Sequence, residues 1–251
     1  MIKEVIVNAD DFGLNSSVNK AIVESFNKGL INSTTIMANM PGFEEAVEMG
    51  HKNKIIPKIG IHLSLSSGNP LTSTTPGSYL FYNGNNFDLK KFKKGLFLLS
   101  GKGKEAVYNE LAAQIEKVRR AGIPITHLDT HHHIDEVWPV TQILLRLLKS
   151  YGIPSMRILD NLNRSSDFYK EGYRRIVNGY IKLKLANFTD YFGNSPEAYY
   201  RLRKIKAKYE MKRIEIMVHP DYNTEGILID RIHNEEVVFD YPDDIKKILN
   251  I

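Results

Sequence analysis

The sequence predicts an α/β protein, an irregular (β/α) barrel of about seven parallel strands with residues 1–251 as a single domain. Three observations carry that expectation. Apolar runs of strand length alternate along the chain with segments of helical period, the pattern of a parallel sheet covered by helices. Acids and histidines fall at the ends of the strand runs, where β/α barrels gather their functional groups. No G-x-G-x-x-G or P-loop string is present, which removes the usual reason for an open nucleotide-binding sheet.

Taken in order, Glu4 to Asp10 (EVIVNAD) is a run that demands burial. Asn15 or Ser16 can cap a helix with Val18, Ala21, Ile22, Ser25 and Phe26 on one face, and Gly29 is its stop. Ser33 to Asn39 is the next strand, followed after Pro41-Gly42 by a short helix from Phe43. Lys58 to Ser66 (KIGIHLSLS) alternates, with Ile59, Ile61, Leu63 and Leu65 on one side and Gly60, His62 and Ser64 on the other. Ser67 to Asn86, rich in Gly, Pro, Ser, Thr and Asn, reads as a long loop over the functional face. A helix from about Lys104 to Ala121 ends at Gly122 and Pro124, and Ile125 to His131 follows as a strand. Pro139 opens a helix at its favoured first turn, with Val140, Ile143, Leu144, Leu147 and Leu148 inward. Ser155 to Leu159, a stretch near Asp190 to Gly193, and Ile214 to His219 complete the strands.

Composition narrows the chemistry. The chain has no cysteine, so disulfides, thiolate ligands and a cysteine nucleophile are excluded. A metal would be held by His, Asp or Glu, which suits Zn, Mn, Mg or Fe. The longest apolar runs fall far short of the roughly 18–20 residues of a membrane span, and the N-terminus has no leader pattern. The expectation is a cytoplasmic chain with no membrane partner. The net charge is +5, with an excess of basic residues running late in the chain from Lys170 to Arg213. The plain reading is the solvated face of a few helices; the sharper one is a nucleic-acid surface, which no binding motif supports.

Four strand runs end in titratable residues: Asp10-Asp11, His62, His131-His132-His133 and His219. At a strand end the chain turns, so both carboxylates of Asp10-Asp11 can reach one site, one ligating a cation while the other stays free as a base. Asp11 as a mere turn cap is the competing reading. A lone His62 is more often a core residue than a ligand, but three consecutive histidines are rarely needed for packing. His131 and His133 would share a face if their strand continued. Asp129 can accept the ring N–H of a ligating histidine. His127 reads as structural, His51 and His233 as surface. His219, before Pro220, is either a poised acid or a plain loop residue. One Asp and two His leave open positions for water and substrate, as a catalytic metal needs. Ligand type alone leaves phosphoester, amide and deamination chemistry open.

The strings Asn8-Ala9-Asp10-Asp11-Phe12-Gly13-Leu14, Ser33-Thr34-Thr35, Gly60-Ile61-His62-Leu63, Thr126 to His133 (THLDTHHH) and Met217-Val218-His219-Pro220 resemble the YdjC-like carbohydrate deacetylases, which include chitooligosaccharide deacetylases. The resemblance spans Val5 to about Asp221, with all five motifs in order. It implies an irregular β/α barrel that removes an acetyl group from N-acetylated amino sugars or short oligosaccharides such as diacetylchitobiose. By position it implies Asp11, His62 and His131 as metal ligands, Asp10 as general base and His219 as general acid. Mg or Zn rank first as the ion, with Mn, Fe and Co open. Family members often carry a further histidine where this chain has Asp135. Tyr79, Phe81, Tyr82 and Trp138 are candidates to stack on a sugar, and Arg157 either points into the site or forms a buried structural ion pair. A homodimer is an open expectation.

Three other readings compete. A metal-dependent phosphoesterase would need phosphate-clamping cations, for which only Arg157 is visible. A non-catalytic sugar-binding protein would not need Asp10 and His219 together. A nucleic-acid binder would rest on the basic late helices and lose affinity steeply with salt.

Overall fold

The computed structural model describes residues 4–72, 82–83, 86–87, 99–162, 167–194 and 212–232. In chain order, β1 (Glu4–Phe12), α1 (Ser16–Asn27), β2 (Ser33–Ile36), α2 (Phe43–Lys52) and β3 (Ile59–Leu63) come first. A two-residue antiparallel hairpin, β4 (Tyr82–Asn83) and β5 (Asn86–Phe87), leads to α3 (Gly101–Arg120) and β6 (Leu128–Thr130). Then follow α4 (Trp138–Tyr151), α5 (Phe168–Lys184), β7 (Tyr191–Asn194), β8 (Arg213–Val218) and a second hairpin, β9 (Pro220–Tyr222) with β10 (Leu228–Asp230).

Six strands form one all-parallel sheet, ordered β6-β3-β2-β1-β8-β7 and curled into an incomplete barrel. The expected barrel is borne out, with six strands in the described ladder in place of about seven. The difference lies at Ser155 to Leu159, which joins the sheet only through single bridges of Met156 to Leu128 and to Phe188. A side chain stands where the next strand would be. The Asn178 amide, from α5, takes both backbone groups of Leu159, accepting from its N–H at 2.8 Å and donating to its carbonyl at 2.9 Å. The backbone is satisfied and no further ladder is required.

Helix ends follow their capping chemistry. Asn15 caps α1 by accepting from Val18 N at 3.0 Å. Gly29, at φ 70°, closes it, with Gly29 N donating to Phe26 O and Leu30 N to Ser25 O. The predicted inward residues of α1 and α4 are buried or packed on the core. Two buried polar residues of α3 look after the strand-to-loop connection beyond β3. Gln114 pairs with both backbone groups of Ser64, and Glu110 accepts from Leu71 N and Thr72 N. They hold the chain at 64–72 against the sheet.

The end of β1 departs from regular pairing. Ala9 pairs with Thr34 and Phe12 with Ile36, so β1 contains one residue more than β2 over that interval. Asp11 sits in this bulge at φ 71° and Gly13 follows at φ 94°. Bulges re-aim side chains, and here two successive carboxylates no longer alternate across the sheet. Asn19, fully buried on α1, clamps the turn: its Oδ1 accepts from Gly13 N at 2.7 Å and its Nδ2 donates to Gly42 O at 2.9 Å. Asn19→Ala strands both groups, and a loss of about 2 kcal/mol is expected. Urea unfolding would read it as a lower midpoint at unchanged slope; an unmoved midpoint would show that the turn holds without the clamp.

Candidate active site

The carboxyl ends of β1, β3, β6 and β8 bring the predicted residues together. His62 and Asp129 are register partners on β3 and β6, so they lie side by side on one face of the sheet. His62 Nδ1 donates to Asp129 Oδ1 at 2.7 Å. That hydrogen bond fixes the ring and leaves Nε2 with a free lone pair. His131 follows directly on β6. Its Nε2 meets Ser67 Oγ at 3.2 Å; with the ring proton there, Nδ1 too is free.

Both free nitrogens converge on Asp11. Asp11 Oδ1 lies 3.3 Å from His62 Nε2 and 2.9 Å from His131 Nδ1, and the two nitrogens are 3.3 Å apart. A cation about 2.1 Å from three such atoms would separate them by about 3.0 to 3.4 Å. Asp11 Oδ1 is buried without a well-aligned hydrogen bond despite its two neighbours. One carboxylate oxygen and two imidazole nitrogens facing a common point are a hard-to-borderline donor set, and this trio can hold a divalent ion. Arg231 Nη2 contacts the other oxygen of Asp11, which leaves Oδ1 for the ion.

Asp10, His62 and Asp129 also cluster, but positive charge already fills their centre. Arg157 Nη1 and Nη2 donate to Asp10 Oδ2 and Oδ1 at 2.8 and 2.7 Å. Arg157 Nη2 lies 2.7 Å from Asp129 Oδ2, and Nε donates to Glu215 Oε1 at 2.5 Å. The guanidinium stacks over Phe192 at 4.6 Å. Asn8 Nδ2 adds a bond to Asp10 Oδ1 at 2.8 Å, and Thr35 Oγ1 donates to Asp129 Oδ2 at 2.9 Å. Burial alone would raise the Asp10 carboxyl, but Arg157, His62 and His219 outweigh it and hold Asp10 well below the usual carboxylate range.

His219 stands beside Asp10, one residue beyond the Ala9–Val218 pair of β1 and β8. Its backbone is pinned by Asp230 Oδ2, which accepts from His219 N at 3.2 Å, and by Arg231 N, which donates to His219 O. Its Nδ1 is buried without a partner. Burial pushes its pKa down against the pull of Asp10, Asp11 and Asp230, so the ring is neutral near pH 7.

The remaining histidines separate. The chain turns after His131, with His132 and His133 at φ 54° and 52°, so the strand does not continue and His131 and His133 do not share a strand face. His133 packs edge-on to Phe192, and His132 Nδ1 lies 2.9 Å from Ser66 Oγ. His127 is half-buried, its Nε2 3.2 Å from Asn8 Oδ1, and desolvation pushes its pKa down to about 4. A Cβ on Gly60 would come within 2.5 Å of that ring. His51 is exposed. Asp135 accepts from Thr130 Oγ1 at 2.6 Å and secures the turn. Arg157 does both things foreseen for it, meeting Asp10 through a buried ion pair. Trp138 packs on Tyr180 at 4.8 Å. Tyr79, Phe81 and His233 lie outside the described residues, as do the side chain of Tyr82 and most of the predicted loop.

A family model described as YdjC-like protein matches residues 4–245. The chain belongs to the YdjC-like family. A relative from Vibrio campbellii, called carbohydrate deacetylase, is 37% identical over 227 residues, 86% of this chain and 78% of its own. Another of that description from Brevibacillus brevis is 31% identical over 230 residues, 90% of this chain and 84% of its own. A solved structure titled a putative cellobiose-phosphate cleavage protein, from Enterococcus faecalis, has TM-score 0.73 at 23% identity. The match covers 100% of this chain and 95% of that one, and it shares the fold. No helix among the described residues is long and apolar enough to cross a membrane.

Sequence reasoning missed Asn8, Thr35, Ser67, Glu215, Asp230 and Arg231 as parts of this YdjC-like site. Asn8 was within reach, since it shares a strand face with Asp10 by simple alternation. Arg231 had no local signal, because the β9–β10 hairpin alone returns it to Asp11.

Two outcomes test the geometry. Asp129→Ala removes the acceptor that fixes His62, and metal affinity measured by competition with a chelating dye is expected to fall about 10–100-fold. Unchanged affinity would show that the ring is oriented without it. The second concerns Glu215, whose pKa burial pushes up from 4.5 to about 7 against the pull of Arg157, with Asp129 adding to the push. A raised carboxyl favours the fold fully below about pH 4.5, and that contribution is lost as pH rises through about 7. Chemical denaturation at pH 5 and pH 8 should give Glu215→Gln a shallower fall in stability than the wild type, by on the order of 2 kcal/mol. Equal slopes would mean that Glu215 is already ionised at pH 5.

Proposed function

We propose that the chain is a metal-dependent hydrolase that removes acetyl groups from N-acetylated amino sugars or short oligosaccharides such as diacetylchitobiose. The observation that carries the reading is the convergence of Asp11 Oδ1, His62 Nε2 and His131 Nδ1, with the carboxylate oxygen lacking an aligned donor. The carbohydrate deacetylases among its relatives supply the substrate class. Asp11, His62 and His131 would hold the ion, Mg or Zn before Mn, Fe or Co. When bound, a divalent ion supplies Lewis acidity, lowering the pKa of a water and polarising an amide carbonyl.

Asp10 is the base in this reading. Its Oδ2 lies 3.9 Å from His62 Nε2, at the edge of the ligand trio, and Arg157 keeps it anionic. The same clamp makes it a weak base, suited to a water that has already been acidified. In this reading His219 enters the reaction as the protonated minority form, gives that proton to the leaving amine and ends neutral; general acid–base help of this kind is worth about 10²–10⁴-fold. The resting neutrality of His219 and the low pKa of Asp10 favour a second reading, in which His219 takes the water proton itself and passes it on. Asp10 then acts only through its charge.

The experiment is acetate release from diacetylchitobiose and a panel of N-acetylated sugars by chelated protein, before and after adding back Mg, Zn, Mn or Co. Metal-restored release is expected. No release from any sugar by the metal-loaded protein would overturn the proposal. Asp10→Asn is expected to bind metal fully and lose at least about 10²-fold in rate. A nearly active Asp10→Asn beside a dead His219→Ala would assign both proton transfers to His219.

A further inference from the structure

The amino end of the barrel is hollow. β/α barrels usually fill their interior with layers of branched apolar side chains. Here a cavity of about 320 Å³ opens among residues at or just before the strand starts, with the hydroxyl residues Ser33, Thr126, Ser155 and Thr189 in its wall. A polar space of that size has room for several waters. The Thr189 hydroxyl is buried with no partner among the described residues. A buried hydroxyl wants one, and the cavity is where water can supply it. Arg157 and Glu215, both buried, line the same cavity. Arg157 thus faces two ways. It holds Asp10 and Asp129 on the active-site side, and its Nε donates to Glu215 Oε1 at 2.5 Å on the cavity side.

The other charges around Glu215 are already engaged. On its own strand Arg213 pairs with Glu4 of β1, Nε to Oε2 at 3.1 Å. Asp10 of β1 and Asp129 of β6 lie beyond the guanidinium and share it. His127, ahead of β6, is neutral near pH 7 because desolvation pushes its pKa down to about 4. Lys58, ahead of β3, stands over the Phe26 ring. From β7 comes Phe192, which carries no charge. Arg157 is the cation that answers to Glu215. Burial pushes the Glu215 carboxyl up to about 7, so a small change in pH changes its charge.

We propose that Glu215 is a positioning residue for Asp10, worked from the far end of the barrel: it gives its proton to water in the amino-end cavity, draws Arg157 toward itself and loosens the hold on Asp10. In the neutral form Oε1 accepts a weak bond from Arg157 Nε and Oε2 carries the proton. The charge of the guanidinium then serves Asp10 and Asp129 alone. As pH rises through about 7, the proton passes to cavity water and the Nε bond becomes charge-assisted. One cation is now shared among three carboxylates. Asp10 is ionised in both forms, but its oxygens are less committed and accept a proton from water more readily. With Asp10 as base, the rate should rise through that pH on the order of tenfold. The effect on rate rests on the deacetylase reading; the coupling of Glu215 to Asp10 does not.

The coupling is readable without turnover. In the Mg-loaded chain labelled with carbon-13 at the aspartate carboxyl, the Asp10 resonance is identified by its loss in Asp10→Asn. It is expected to step as pH rises through about 7, and the step should vanish in Glu215→Gln. Filling the cavity from either of two walls, by Thr189→Met or Ser155→Met, takes water from Glu215 and should move the step up by on the order of one pH unit. Unchanged circular dichroism identifies a filled variant that still folds. Deacetylation rates should follow the step. A limb due to a metal-bound water moves when Zn replaces Mg; the Glu215 limb keeps its pH with either ion and is absent in Glu215→Gln. An Asp10 signal flat across the range, or a step that survives Glu215→Gln, would overturn the inference. So would a step left in place by both folded cavity-filling variants, or a rate profile indifferent to Glu215→Gln. An Asp10 step in a protein that releases no acetate would keep the coupling and sink the deacetylase reading instead.

Discussion

The buried guanidinium of Arg157 is the interaction on which the interior rests. It holds Asp10 with two bonds and touches Asp129 and Glu215, all of them removed from water. Desolvating one cation and three carboxylates is unfavourable in itself. The arrangement survives because every donor nitrogen has an acceptor and the guanidinium plane covers Phe192. Loss of such a cation leaves carboxylates buried and unopposed, an effect on the order of 3–5 kcal/mol for a single broken pair. Arg157 therefore couples two things usually discussed apart, the stability of the barrel interior and the ionisation of the Asp10 carboxylate.

Backbone geometry supplies what charge cannot. Regular alternation would send Asp10 and Asp11 to opposite faces. The extra residue in β1 and the positive φ of Asp11 deliver both carboxylates to one end of the sheet. Aspartate is among the few side chains that tolerate this conformation. The side chain needed to reach the histidines is thus also one of the few that the backbone there accepts. Asn19 then stabilises the turn from behind, so the first helix is part of the site without touching it.

Much of this was legible in the sequence. Strand runs ending in Asp10-Asp11, His62, His131 and His219 located the mouth, because short apolar runs and strand-end polar residues are local signals. The seventh strand was not legible as a near-strand. Ser155 to Leu159 has strand composition, and only the tertiary placement of Asn178 decides that its backbone is satisfied by an amide. Of the triple histidine, the first member is the one that the structure brings to Asp11 and His62. The turn at His132 and His133 depends on Asp135, Thr130 and the start of α4, which no periodicity reports. Arg231 was invisible for the same reason, since its place is fixed by a hairpin contact more than two hundred residues from Asp11.

The sheet has a seam. Between β6 and β7 the barrel is joined through Met156 by isolated bridges, while neighbouring strands of the described sheet pair over three residues or more. Mechanical strain concentrates where ladder bonds are fewest, and local opening starts there. Arg157 is the residue after the seam's bridging methionine, whereas His62 lies across the sheet on β3, paired on both sides, and Asp11 sits in a β1 bulge flanked by paired residues. A breathing motion of the seam would therefore loosen the clamp on Asp10 before it disturbed the three atoms that converge at Asp11. The basicity of one carboxylate and the spacing of those three convergent atoms are governed by different parts of the same barrel, one compliant and one stiff.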